Sequence, residues 1–111
     1  YEQFTTNDTH TEIKNAVNTH APGIAISSPL KIVEGATYEI GFNLSKHSGT
    51  MPSFTISRDF YAYDNLIHYQ PRQGSNTLQF KASDSGRFMG IFKVLNQTDF
   101  SVHSFYFTVI D

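Results

Sequence analysis

The sequence predicts an all-β protein built as an antiparallel β-sandwich. Three observations carry that expectation. Residues 23–44, GIAISSPLKIVEGATYEIGFNL, contain a period-2 ladder in which Tyr38, Ile40, Phe42 and Leu44 share one side, while Thr37, Glu39 and Asn43 share the other. One greasy face and one wet face suit a sheet packed on a single side. Turn signals recur about every eight to fifteen residues, the rhythm of a sandwich. Almost no stretch shows the 3.6-residue period of a helix.

The elements follow in chain order. Residues 1–11, YEQFTTNDTHT, are polar with Tyr1 and Phe4 as anchors, and form either a first strand or a loose arm. Residues 12–17 fit a helical turn or a strand, and the context favours a strand. Ala21-Pro22-Gly23 turns the chain. Strands are expected at 23–27 and 30–33, then, after the Glu34-Gly35 turn, at 37–44. Residues 46–52, KHSGTMP, read as a loop on Ser48-Gly49. Residues 53–58 alternate, with Phe54 and Ile56 inward. Residues 59–73, DFYAYDNLIHYQPRQ, are dense in aromatics but break alternation. After Gln73-Gly74-Ser75 comes a strand at 76–82, with Leu78 and Phe80 on one side. A tight Ser83-Asp84-Ser85-Gly86 turn leads to a strand at 87–95. It carries Phe88, Phe92 and Val94 on one face and Met89, Ile91 and Leu95 on the other. The last strand, 100–110, is apolar on both faces from Phe105 to Ile110, which predicts a central, doubly covered position. The expected core is Ile24, Ile26, Leu30, Ile32, Tyr38, Ile40, Phe42, Leu44, Phe54, Ile56, Leu78, Phe80, Phe88, Phe92, Val94, Phe105, Phe107 and Val109.

With 111 residues the chain suits one domain with a modest core, and its opening on Tyr1 reads as a fragment of a larger or processed protein. The net charge of −2 and the lack of a basic run argue against an electrostatic grip on nucleic acid. The apolar runs are too short for membrane insertion. With no cysteine, disulfides, thiolate catalysis and cysteine zinc sites are excluded. No G-x-S-x-G elbow or phosphate-cradling glycine loop occurs, and Asp59 and Asp64 are a commonplace spacing, so no enzyme is expected. His10, His20, His47, His68 and His103 are scattered without metal-ligand spacing; His103 alternates with Phe105 and is placed to face a groove.

Several features recur together: Leu30, Gly35, Thr37-Tyr38, Thr77-Leu78-Gln79-Phe80, Ser85-Gly86, the alternating apolars from Phe88 to Val94, and the closing run from Phe105 to Asp111. This pattern resembles the jelly-roll carbohydrate-binding modules grouped as families four and nine, over residues 23–111. It also looks like sandwich domains of phage tail fibres and tailspikes. The resemblance implies a jelly-roll topology of about eight strands. It implies a noncatalytic module that binds poly- or oligosaccharide, within a larger extracellular or virion-surface protein. It further implies a structural calcium between the terminal strands, with Asp111 and Glu2 at the matching positions. The alternative it implies is a trimerising or end-capping domain of a tail fibre or tailspike, acting as a homotrimer.

The segment richest in recognition chemistry is 58–72. A sugar presents an apolar C–H face and a rim of hydroxyls, so its binder needs aromatic plates beside planar or charged hydrogen-bonding groups. Tyr61, Tyr63 and Tyr69 are candidate plates; Arg58, His68 and Arg72 are candidate donors. The same aromatics equally suit an edge seal of the sandwich or a subunit contact.

Overall fold

The computed structural model describes residues 2–4, 11–16 and 24–26 as strand backbone, and residues 30–59, 64–94 and 98–110 in full. Among these residues run ten strands: β1 (Glu2–Phe4), β2 (Thr11–Ala16), β3 (Ile24–Ile26), β4 (Leu30–Ile32), β5 (Thr37–Ser48), β6 (Ser53–Ser57), β7 (Asn65–Tyr69), β8 (Gly74–Lys81), β9 (Gly86–Lys93) and β10 (Thr98–Val109).

The strands form two sheets. One has the order β1-β3-β9-β6-β7, with β4 also on β9; the other has the order β2-β10-β5-β8. Ile24 lies opposite Phe92 and Leu30 opposite Phe88, so β3 and β4 lie one after the other along the same edge of β9. Counting them as one interrupted strand, β2 to β10 fill the eight positions of a jelly roll, the chain passing repeatedly from sheet to sheet. The described pairings are antiparallel except β1 with β3, which is parallel.

The ladder of β5 behaves as its alternation predicts. Tyr38, Ile40, Phe42 and Leu44 are buried between the sheets. Phe42 packs against Phe54 of β6 and Phe92 of β9, with ring centroids 5.5 and 5.1 Å away, and so joins the two layers. Burying each such ring contributes about 2–3 kcal/mol. Tyr38 keeps its hydroxyl satisfied, accepting from the Val33 amide at 2.8 Å. At Gly35, φ is +90°, a conformation glycine adopts without steric cost, and its amide donates to the Ala82 carbonyl at 2.9 Å.

Several expectations are corrected. β5 extends to Ser48 and takes in the start of the expected 46–52 loop. The irregular 59–73 segment contains an edge strand, β7, paired only on its β6 side among the described residues. Strand β10 is central, as expected, but is not covered on both faces. Val109, expected in the core, is 59% exposed, because it lies at the end of the strand where the sandwich opens. Leu78, Phe80 and Phe107 are only partly buried, whereas Phe100 and Val102 join the core. Ser104 has φ +53° at an irregularity in the β10–β5 register, and this bulge changes the phase of β10. Phe100 and Val102 point inward before it, and Phe105 points inward after it. His103 and Phe105 therefore do not share a face.

Candidate functional site

Of the residues expected to recognise a ligand, Arg58 and Tyr69 are engaged within the chain, while His68 and Arg72 are exposed. Arg58 ties two loops together. Its Nη2 donates to Asp84 Oδ2 at 2.7 Å and to the Ser85 carbonyl at 2.8 Å, and its Nη1 donates to Asp64 Oδ2 at 3.3 Å. The guanidinium also sits over the Phe88 ring, 4.8 Å from its centroid. The Arg58 bond, with help from the Ser85 amide, holds the Asp84 carboxyl below its ordinary range. Asp59 accepts from the Asp64 amide at 2.8 Å, so this aspartate pair caps a loop base.

Tyr69 turns inward. Its ring meets Phe42 edge-on, and its hydroxyl donates to Asn76 Oδ1 at 2.9 Å. Asn76 is buried at the start of β8, and all four of its amide bonds are made. Oδ1 also accepts from the Arg72 amide, while Nδ2 donates to the Arg72 and Gly74 carbonyls. This single side chain pins the β7–β8 connection. The Arg72 and His68 side chains are exposed, with His68 opposite Thr55 on the edge of the other sheet. Tyr61 and Tyr63 lie outside the described residues, as does Asp111. Glu2 lies opposite Ile24 in β1. Among the described residues, no group of three or more His, Asp or Glu is gathered for a metal.

A different constellation occupies the outer face of the second sheet. Register sets three strands side by side. Thr108, Glu39 and Gln79 form one row; Tyr106, Gly41 and Thr77 the next; His103, Asn43 and Ser75 a third. A Cβ at Gly41 would collide with Cε1, Cζ and Oη of Tyr106, so the tyrosine ring reaches from β10 across β5 and rests on the bare glycine backbone. Its hydroxyl donates to Glu39 Oε2 at 2.7 Å and is also bonded to Thr77. Gln79 Nε2 donates to Glu39 Oε1 at 2.7 Å. These anchors hold the ring down on the sheet, and Tyr106 is still 40% exposed.

The electrostatics agree with this arrangement. The Gln79 amide and then the Tyr106 hydroxyl hold the Glu39 carboxyl below its ordinary range. Glu39 in turn raises the Tyr106 phenol, which keeps its proton and serves as a donor. Around the ring, Thr108, Thr77, Ser75 and Asn43 are exposed, and His47 Nε2 lies 3.0 Å from Ser101 Oγ farther along the face. A flat aromatic ring ringed by hydroxyl, amide and carboxylate groups can stack against an apolar face while bonding the polar rim around it. Sequence reasoning missed this group. The available signal was Gly41, an unfavourable residue inside a strand, flanked on its own face by Glu39 and Asn43.

No protein-family model matches this chain. No curated protein matches it either. A solved structure described as "CBM4 structure and function" is similar in fold, with a TM-score of 0.66 at 14% sequence identity over 94% of this chain and 73% of that one. At that identity the likeness is one of architecture: the chain is a two-sheet β-sandwich of the shape found in that carbohydrate-binding module.

Proposed function

We propose that this chain is a noncatalytic carbohydrate-binding module that takes a poly- or oligosaccharide on the outer face of β10, β5 and β8. The observation that carries the reading is Tyr106, resting across Gly41 and fixed by Glu39 and Thr77. A tyrosine on a sheet surface is ordinarily free to rotate. Here its conformational entropy is already spent before any ligand arrives, which favours stacking of a pyranose ring on its outward side. Glu39, Gln79, Thr77 and Asn43 then meet the sugar hydroxyls. The rest of the face is wet, a surface that suits a hydroxylated ligand better than an apolar subunit contact. Such a platform binds weakly as a single unit and gains through multivalency within a larger extracellular or virion protein.

A broad glycan array, probed with the native chain and with Tyr106→Ala, tests the reading. A specific hit that the variant loses while its thermal unfolding is unchanged supports it. A hit that survives in the variant rejects this site, and an array without hits rejects the function.

A further inference from the structure

We infer that this face selects by charge, accepting neutral and amino-substituted sugars and rejecting uronates and sulfated sugars, with Glu39 as the discriminating residue. The inference rests on the sugar-binding reading above. Glu39 Oε2 lies 2.7 Å from the hydroxyl at the edge of the Tyr106 ring, so a sugar stacked on that ring brings its substituents beside the carboxylate. Each carboxylate oxygen accepts one of these hydrogen bonds, Oε1 from Gln79 and Oε2 from Tyr106. An ionised carboxylate has about four acceptor sites in all. The remaining sites face donors such as a hydroxyl or an ammonium group, whereas a second anion there meets only repulsion.

The other charges on the face do not offset this. Among the outward positions of β5, β8 and β10, the cation is Lys81, opposite Thr37 and beyond Gln79 from the ring. Polar groups adjoining the ring in register are the uncharged Thr77, Thr108, Asn43 and Ser75 together with His103. No Arg is placed there among the described residues to clamp a carboxylate or sulfate bidentately. At these separations near a surface, like charges weaken binding by about three- to tenfold, and salt screens the effect.

Calorimetry on matched oligosaccharides tests this. The probes share length and linkage and differ only in being neutral, 2-amino or 6-carboxylate forms; β-1,4, β-1,3 and α-1,4 backbones are each included. The native chain is expected to bind the carboxylate form about three- to tenfold more weakly than the neutral form at low salt. That gap narrows at high salt, and in Glu39→Gln the ratio of the two affinities falls to within about twofold. Equal binding of neutral and carboxylate forms by the native chain overturns the charge selection and leaves the sugar site standing. Binding of no probe overturns the site and the inference together. If Glu39→Gln binds nothing, the native salt series decides: a gap that salt does not narrow overturns the inference.

Discussion

Tyr69 and Tyr106 are the same residue put to opposite uses. Tyr69 stands on β7, leans its ring edge on Phe42 and spends its hydroxyl on the buried Asn76. Tyr106 stands on β10 and lies outward over Gly41, with its hydroxyl spent on Glu39. Both are immobilised. The first packs its ring against the core and holds the framework together; the second is partly exposed to water and is prepared to meet something else. What lies under a ring and what its hydroxyl binds decide which role an aromatic plays, and neither is visible in aromatic density along the chain.

The largest expected effect is at the hub of the inward region. Asn76→Ala orphans the Tyr69 hydroxyl and three backbone groups around Arg72 and Gly74. Unfolding by urea should show a loss of about 2–4 kcal/mol. Glycan affinity of the folded fraction should not change, because Asn76 does not touch the outer face. A change in affinity there would blur the division between the two regions.

Tyr106→Ala should do the reverse. Removing the ring is expected to weaken glycan binding by about tenfold or more, with little change in stability. Gly41→Ala sharpens the test. The new methyl displaces the end of a side chain rather than backbone, so the fold survives and the ring lifts from the sheet. Affinity should fall by about threefold to tenfold, and adding Gly41→Ala to Tyr106→Ala should cost nothing further. Additive losses would mean that Gly41 acts on something other than the ring.

Tyr69→Phe keeps the ring and removes one hydrogen bond, so it should cost about 1 kcal/mol of stability and leave binding intact. The smallest effect is that of acid. Asp84 and Glu39 both titrate below their ordinary range when folded. Their contribution to stability is complete above the ordinary carboxylate range and is lost as pH falls through the lowered folded values. Both are solvent-exposed, so the loss should be slight and should shrink with salt. Thermal melts of the native chain and of Arg58→Gln, followed into acid, read the Asp84 share. A melt that stabilises on acidification would contradict the sign.

The β5 ladder was legible because its polar and apolar residues alternate strictly from Thr37 to Leu44, and a one-residue slip would have buried Glu39 and Asn43. β10 was not. Period 2 cannot reveal a bulge, and Ser104 carries none of the usual glycine signal for positive φ. Tyr106 read as one more apolar residue in a doubly covered strand, whereas its face of the strand, opposite Phe105 and Phe107, is open to water. The partners of Arg58 and Tyr69 were hidden for the opposite reason. Both looked unpartnered in sequence, but Arg58 finds Asp84 across 26 positions and Tyr69 finds Asn76 across the next turn. Long-range pairing of this kind leaves no local pattern.

The most direct test is an amide NMR titration of the isotopically labelled chain with a glycan taken from the array. Resonances of Glu39, Gly41, Thr77, Gln79 and Tyr106 should move together and saturate at one affinity. If instead the shifts gather at His68, Tyr69 and Arg72 while the Tyr106 row stays still, the sugar lands on the wrong sheet and the proposed platform is not its site.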